Sequence, residues 1–180
     1  MFTSSVRAVL LLIAFSILLL SCDTSDPFRI PPPDFSTVPE AYNIDNVEPV
    51  TIEEGVDVYH LEEGFGPFFV TVRDEVAVFM TLRTDEGEVI FSTFANGNEL
   101  AIPLSVRSSG TIQNVFQYSI LLSYTPGLKA GILGMQQGEK RTIVVSPEKG
   151  FGTASSTNTN SEYSENTLIY DITVSSINPG

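Results

Sequence analysis

Residues that could carry out covalent or metal-dependent chemistry are scarce in this sequence. His60 is the only histidine and Cys22 the only cysteine. A metal site built from several His or Cys ligands is therefore not expected, and neither is a catalytic thiol paired with a base. His60 lies in a predicted strand near the start of the folded region, where we expect a structural or surface role. With no metal or cofactor expected, any activity must depend on shape, apolar contact and hydrogen bonding.

Cys22 lies at the boundary between an apolar segment and a polar one. Residues 8–20 form a run of 13 residues that is apolar except for Ser16, and Arg7 is the only charge before Asp23. A helix needs roughly 20 apolar residues to span a bilayer, so the length indicates a signal peptide over residues 1–21 rather than an uncleaved membrane anchor. Residues 19–22 resemble the lipobox of bacterial lipoproteins. This resemblance implies a lipid on Cys22 and a place in the bacterial cell envelope, on the periplasmic side or the cell surface.

Removal of the first 21 of the 180 residues leaves 159, which suits one domain and a tether. Residues 23–50 contain six of the eleven prolines and show no sustained hydrophobic period. We therefore predict a lipidated, proline-rich tether over residues 22–50, reaching up to about 80 Å, and one domain over residues 51–180. The 22 acidic residues outnumber the nine basic ones, for a net charge of −13. Nucleic acid is not an expected partner, because phosphate binding needs clustered cations.

The domain consists of short segments rich in β-branched and aromatic residues, separated by turns that contain glycine. Apolar and polar residues alternate within these segments, which predicts β-strands with one buried face. The predicted strands cover residues 56–60, 76–82, 89–94, 141–145 and 168–175. Asp85-Glu86-Gly87 has the composition of a hairpin turn.

One helix is predicted, beginning at Thr125 and Pro126. Threonine is a favoured N-cap residue and proline is favoured at the first helical position. An apolar stripe follows at helical spacing, and glycines end it early. The stripe consists of Leu128, Ile132, Leu133 and Met135. These elements together predict an α+β fold in which an antiparallel sheet packs on one short helix.

The helix and the segment after it carry a family resemblance. Residues 127–141 (GLKAGILGMQQGEKR), followed by residues 146–148 (SPE) and 151–152 (FG), resemble the helix, turn, strand and proline-containing loop of FKBP-type peptidyl-prolyl isomerases. Other segments occur in the same order as in that family, so that the resemblance covers residues 56–177. They are residues 61–67, 74–76, 86–92 and 166–171. The resemblance implies an FKBP-like curled antiparallel sheet wrapped on one short helix, and rotamase activity on proline-containing exported polypeptides.

The activity that the resemblance implies needs no nucleophile, metal or strong acid–base pair. Rotation about an X-Pro bond has a barrier of about 18–20 kcal/mol because the amide is conjugated. A pocket can lower that barrier by binding the twisted amide better than either planar isomer, through an apolar floor and a few hydrogen bonds. The composition of this chain is compatible with such a mechanism.

The resemblance also implies a set of pocket residues, several of which depart from the family pattern. Leu128 stands where a Trp often forms the floor, Phe151 where a Tyr usually bonds the substrate carbonyl, and Tyr170 where a Phe is usual. Met80, Ile90 and Phe91 replace a Tyr, a Phe and an Asp. Packing in the core is the alternative role for each of these six residues. The remaining substrate-binding positions that the resemblance implies are Leu100, Ile102 and Thr125.

Two insertions distinguish the chain from the family. Residues 105–124 replace a short link before the helix, and residues 153–166 form a long Ser/Thr/Asn-rich loop at the position of the family's flap. Loss of polar pocket residues favours a second hypothesis, a non-catalytic FKBP-fold peptide-binding or chaperone module of the envelope. A third hypothesis makes the 105–124 insertion an oligomer or partner interface. The oligomeric state does not follow from the sequence.

Overall fold

Alternating apolar residues form the strands of one antiparallel sheet. The computed structural model describes residues 32–106, 125–152 and 159–180, and residues 32–180 belong to one compact unit. The described residues form seven strands and one α-helix. These are β1 (Val50–Glu53), β2 (Val56–Glu62), β3 (Glu75–Thr84), β4 (Val89–Ser92), β5 (Ile102–Ser105), helix α1 (Pro126–Ile132), β6 (Lys140–Val145) and β7 (Leu168–Asn178).

The two longest strands, β3 and β7, form the centre of the sheet. The strand order is β1-β2-β6-β7-β3, and β4 and β5 both pair with the other edge of β3. All of these strand pairs are antiparallel. The register of β3 and β7 places Met80 opposite Ile172 and Leu82 opposite Tyr170. The residues on one side of each strand therefore line a common inner face.

Helix α1 packs directly on this inner face. Thr125 is its N-cap: the side-chain oxygen accepts a hydrogen bond from the Leu128 N–H at 3.2 Å, and Pro126 follows at the first position. Gly127 and Gly131 face strand β6, where Val145 and Ile143 leave no room for a Cβ atom. The helix backbone thus approaches the sheet more closely than a helix with larger side chains could.

The core lies between the helix and the inner face of the sheet. Its members come from every strand of the described chain except β1, together with the helix and four loop positions. The largest fully buried side chains include Tyr170, Phe91, Met80, Leu82, Leu104, Leu128, Ile132, Met135, Ile143, Leu168 and Ile172. Burial of this apolar surface is the dominant stabilising contribution to a domain of this size.

The outer face of the sheet carries a buried ion pair. Arg83 on β3 and Asp171 on β7 form an ion pair at 2.7 Å, and both residues are less than a tenth exposed. Thr142 on β6 donates a hydrogen bond to the other oxygen of Asp171 at 2.7 Å. Buried charges are retained when each is paired and hydrogen-bonded, as these are.

Residues 34–42 cross this outer face, and we call them the strap. Two hydrogen bonds join Asp34 to Asn96, one in each direction. Further along, the Pro39 carbonyl accepts from Arg83 at 2.6 Å, and the Tyr42 N–H donates to Asp171 at 3.2 Å. The sequence places the strap inside a predicted extended tether, whereas these contacts hold it against the sheet. The predicted boundary between tether and domain at residue 50 stays a prediction.

The predicted secondary structure agrees with most of the structure. The predicted helix and the strands beginning near residues 56, 76, 89, 141 and 168 are present. Strand β1 was not predicted, and β4 ends at Ser92 because the chain turns into a 3-10 segment, Ala95–Gly97, where Asn96 has a positive φ of 56°. Two more such segments are Pro147–Lys149 and, in part of the predicted flap loop, Thr159–Tyr163.

Three predictions concern residues outside the described ranges. The signal peptide, the lipid on Cys22 and the inserted segment before the helix all stay predictions. Within the described part of the chain, no helix is long and apolar enough to cross a membrane.

Candidate functional site

Three of the predicted pocket residues lie in the core, two of them at the start of helix α1. Leu128 lies in the first turn of the helix, Tyr170 near the start of β7 with its hydroxyl against Thr125, and Phe151 just after the 3-10 segment Pro147–Lys149. All three belong to one core cluster, and none is more than 4% exposed. The structure therefore brings them together as closely packed side chains.

The predicted residues on β3 and β4 belong to the same cluster. Met80 has no exposed surface, Phe91 is 1% exposed and Ile90 is 7% exposed. Ile102 on β5 is half-buried and packs against the cluster. Leu100 lies outside it, with 72% of its surface exposed. Packing in the core and contact with a substrate remain two roles that these side chains could have, and burial favours the first.

A pair of hydroxyl groups ties the start of the helix to the sheet. The Thr125 hydroxyl and the Tyr170 hydroxyl are 3.0 Å apart, in hydrogen-bonding contact. Both residues are buried. Burial raises the pKa of the Tyr170 hydroxyl above its ordinary value, and the hydrogen bond to Thr125 offsets this only in part. Tyr170 is therefore a neutral hydrogen-bonding group at any physiological pH.

His60 lies on the surface, at the end of β2 away from this cluster. Its Nδ1 is 3.4 Å from a Glu139 carboxylate oxygen, and half of its side chain is exposed. Among the residues that the structure describes, no group of three or more His, Cys, Asp or Glu side chains could hold a metal ion. The predicted pocket residues themselves offer apolar surface and neutral hydroxyl groups.

A cleft that the sequence analysis missed opens beside His60. It has a volume of about 660 Å³ and lies between the end of β2 and the turn after the helix. Its charged and polar lining consists of His60, Glu62, Glu63, Gln136, Glu139 and Arg141. The acidic pair at residues 62–63 is visible in the sequence, but its position beside residues 136–141 depends on the pairing of β2 with β6.

The floor of this cleft is a buried ion pair, and its arginine also binds carbonyl groups at the C-terminal end of helix α1. The Arg141 Nε donates to Glu139 at 2.6 Å, and its Nη1 donates to the carbonyl oxygens of Gly131 and Leu133 at 2.9 and 3.1 Å. The second oxygen of Glu139 accepts from the Gln136 N–H at 2.7 Å. Arg141 thus satisfies helix C-terminal carbonyls that would otherwise lack partners. This arrangement fixes the turn that carries Gln136.

Two further cavities border the strap. One, of about 480 Å³, lies between the strap and the turn after β4, beside the stacked rings of Phe79 and Phe94. The other, of about 340 Å³, lies beside Arg83 and the β3–β4 hairpin. All three cavities are lined by residues that the structure describes. None of the predicted pocket residues lines any of the three.

Comparison with known proteins places this geometry in a family. Residues 66–175 match the model of the FKBP-type peptidyl-prolyl cis-trans isomerase family. No curated protein matches the sequence significantly.

Solved structures share the fold at low sequence identity. The N-terminal domain of FKBP42 from Arabidopsis thaliana has a TM-score of 0.56 at 16% identity, covering 79% of this chain and 98% of that one. FkpA from Escherichia coli has a TM-score of 0.54 at 18% identity, covering 74% and 52%. The three FKBP domains of wheat FKBP73 give 0.51 at 18% identity, covering 73% and 49%. The chain thus spans about half the length of the Escherichia coli and wheat structures.

Proposed function

Because the chain belongs to the FKBP-type peptidyl-prolyl cis-trans isomerase family, we propose that it accelerates rotation about X-Pro bonds in exported polypeptides. The observation that carries this proposal is the family match over residues 66–175, which includes the helix, β3, β6 and most of β7. The sheet-and-helix fold shared with solved FKBP structures supports it.

The proposed mechanism uses apolar surface rather than a reactive group. A planar X-Pro amide is conjugated, and twisting it costs about 18–20 kcal/mol. Twisting localises the nitrogen lone pair and reduces charge separation across the amide, so an apolar surface favours the twisted form over the planar ones. We assign this surface to Leu128, Phe151 and Tyr170. Because each is at most 4% exposed, contact with a proline ring requires neighbouring side chains to move aside. The hydroxyl pair of Thr125 and Tyr170 would hold the floor in place.

We further propose that the mature protein is held at a membrane of the bacterial envelope through a lipid on Cys22. The short apolar run, the lipobox-like residues 19–22 and the following polar segment support this location. Expression in a bacterial host with labelled palmitate tests it. Label should enter the wild-type chain and not the Cys22→Ser variant. Equal labelling of the two chains would contradict lipidation.

A second candidate function is a peptide-binding module without catalysis. The observation that favours it is that Met80, Ile90 and Phe91, at positions that are usually Tyr, Phe and Asp in the family, are at most 7% exposed. Side chains packed this tightly offer little surface for a proline ring. On this hypothesis the domain binds unfolded polypeptides with no preference for proline.

A proline-peptide isomerisation assay decides between the two candidates. Residues 32–180 are suitable for it, because they form one compact unit with its own core. The proposed function requires the observed isomerisation rate to exceed the uncatalysed rate and to rise in proportion to the protein concentration. A rate equal to that in buffer, with folding verified by circular dichroism, would leave only the binding module.

The variant Phe151→Tyr sharpens this assay. It returns the hydroxyl that the family usually places at this position, and one additional hydrogen bond in the transition state is worth about 0.5–1.5 kcal/mol. We expect kcat/KM to rise roughly threefold to tenfold. Phe35→Tyr in the strap adds the same hydroxyl on the outer face and is the matched control, with no change expected.

A further inference from the structure

The loop between β2 and β3 exposes an unusual amount of apolar surface. Phe65 is 62% exposed, Phe68 57%, Phe69 55% and Val72 51%. We call residues 65–72 the aromatic loop. Single exposed apolar side chains are normal on soluble proteins, but several on one short loop mark an interaction surface.

The backbone of the aromatic loop is held rigidly at both ends. The Phe65 N–H donates to the Gln137 carbonyl at 2.8 Å, and Val70 exchanges hydrogen bonds with the segment after the helix. In this exchange the Val70 N–H donates to Met135 at 2.8 Å and its carbonyl accepts from Gly134 at 2.9 Å. Val70 itself is buried and anchors the loop. The exposed rings are therefore displayed on a fixed backbone, which lowers the entropy cost of binding.

The aromatic loop borders the cleft beside His60, which we call the acidic cleft because three of its lining residues are Glu62, Glu63 and Glu139. Gly64, which precedes the loop, lines the cleft, as does Gln136, whose side-chain amide donates to the Gly66 carbonyl at 2.7 Å. The cleft contains three carboxylates and one guanidinium group. Glu139 and Arg141 neutralise each other, and Glu62 pairs with Lys140 at the surface, at 2.6 Å. The protein as a whole carries a net charge of −13.

We propose that the aromatic loop and the acidic cleft together form a docking surface for an extended polypeptide segment that is both basic and apolar. The rings can pack against apolar side chains and against the stems of Lys and Arg, whose charged groups they also attract. Within the described part of the chain Glu63 forms no ion pair, so this cleft carboxylate can complement those charges, in the field of a protein whose net charge is −13. The same negative charge opposes binding to an anionic lipid surface, so charge complementarity selects a polypeptide over a membrane.

This surface is separate from the predicted pocket. The loop bonds to residues that follow the C-terminal end of helix α1, whereas Thr125 and Tyr170 meet at its N-terminal end. The helix between them is seven residues long, about 10 Å. One polypeptide could therefore contact both places. The inference rests on the proposed function in taking a polypeptide as the partner, but it does not require catalysis.

Fluorescence anisotropy with residues 32–180 tests the apolar half of the surface. The probe is a labelled, proline-free peptide composed of Lys, Leu and Phe. We expect Phe68→Ser/Phe69→Ser to weaken its binding by about tenfold or more, as for central apolar anchors of an interface. Val50→Ser/Ile52→Ser on β1 removes exposed apolar side chains elsewhere and should change the affinity by less than about twofold.

Charge reversal tests the acidic half. Glu63→Lys should weaken binding of the same peptide by about threefold or more at low salt, and the difference should shrink as salt is added. Glu54→Lys, in the exposed turn between β1 and β2, changes the net charge equally and is the matched control. Equal effects of the two variants would assign the attraction to overall charge and overturn the role of the cleft.

Other occupants of the surface would give different results. Binding to phosphatidylcholine–phosphatidylglycerol vesicles that Phe68→Ser/Phe69→Ser abolishes, without peptide binding, would assign the loop to a membrane. Dimerisation in light scattering that the same variant abolishes would assign it to a second copy of the chain. Either result overturns the proposal. In the proline-tetrapeptide assay the loop variants should match the wild type. Peptide binding without isomerisation would reject the proposed function while leaving the docking surface intact.

Discussion

The inner and outer faces of the sheet belong to the same strands but are buried in different ways. The inner face is apolar and is covered by helix α1, whose glycines allow close contact with β6. The outer face carries the Arg83–Asp171 ion pair and is covered by the strap. Burial of the inner face follows from the alternation of residues along the strands. Burial of the outer face depends on a segment that is distant in sequence and has no regular secondary structure.

This difference indicates how each face should respond to change. An apolar core loses stability in proportion to lost contact or added strain. A buried charge that loses its partner keeps its full desolvation cost, which makes removal of one side chain more damaging than its size suggests. The outer face should therefore be more sensitive to a single substitution, although it buries fewer residues.

The largest expected effect is on the outer face. Asp171→Ala leaves the Arg83 guanidinium buried without its carboxylate and removes the acceptor of Tyr42 and Thr142. We expect the free energy of unfolding to fall by about 3–5 kcal/mol, measured by urea denaturation. The exposed Lys149–Glu53 pair is the control. Lys149→Met should cost no more than about 1 kcal/mol. Equal losses would mean that the strap does not bury the ion pair in solution.

The inner face should respond more moderately. Gly131→Ala places a Cβ against Ile143 and forces the helix away from the sheet. Overpacking of this kind costs about 1–3 kcal/mol, so the thermal midpoint should decrease. Ala130→Gly, at the neighbouring half-buried position, changes helix propensity without a clash and should cost only about 1 kcal/mol. A Gly131→Ala protein as stable as the wild type would show that the contact is looser than described.

The hydroxyl pair of the inner face predicts a dependence on alkaline pH. Burial raises the pKa of Tyr170 above its ordinary value of 10.0. Above pH 10 the unfolded chain loses this proton while the folded chain keeps it, so the free energy of unfolding falls as pH rises. The slope from this group is at most about 1.4 kcal/mol per pH unit. Tyr170→Phe should reduce the slope.

Part of the alkaline slope should remain in the Tyr170→Phe variant. Tyr163 has its pKa raised to about 12, chiefly by burial, and contributes in the same direction. Denaturation from about pH 9 to about pH 11 measures both contributions. An unchanged slope in Tyr170→Phe would contradict burial of this hydroxyl.

The smallest effect concerns the strap. Tyr42→Phe removes a hydrogen bond between the Tyr42 hydroxyl and the Thr173 hydroxyl, which are 2.9 Å apart. We expect a loss of about 1 kcal/mol in the free energy of unfolding. Tyr59→Phe on β2 is the matched control. The two variants could instead unfold at the same denaturant concentration. The strap would then stabilise the fold only through the Pro39 carbonyl and the Tyr42 N–H.

Much of the inner face could be predicted from the sequence because its signals are local. The alternation of Val76, Val78, Met80 and Leu82 marks a buried strand face, and Thr125-Pro126 marks the start of the helix. Strand β1 also alternates apolar and polar residues, but it is only four residues long and all four are exposed, so no buried face marks it. Its formation depends on pairing with β2. The strap likewise depends on partners that lie about 40 to 130 residues away.

The candidate functional residues divide in the same way. The apolar cluster around Leu128 and Tyr170 could be predicted from the family resemblance, and the structure brings most of it together. Its tight burial could not be predicted, because packing depends on side chains from several strands. In the sequence, residues 61–67 are part of the family resemblance, and nothing marks residues 65–72 as an exposed aromatic loop. Phe68 and Phe69 are exposed because of the way the chain folds around them, and the pattern of apolar and polar residues in the sequence does not predict it.

The hydrogen bonds between Asp34 and Asn96 also limit how far the domain can travel. If Cys22 carries a lipid, only the twelve peptide units between Cys22 and Asp34 separate the bilayer from the point of attachment. At the 3.1 Å per residue that gives the predicted tether its reach of about 80 Å, those units span about 37 Å, a little under half of that reach. Because accessible volume varies as the cube of the radius, the domain would search about one tenth of the space, at a local concentration about tenfold higher.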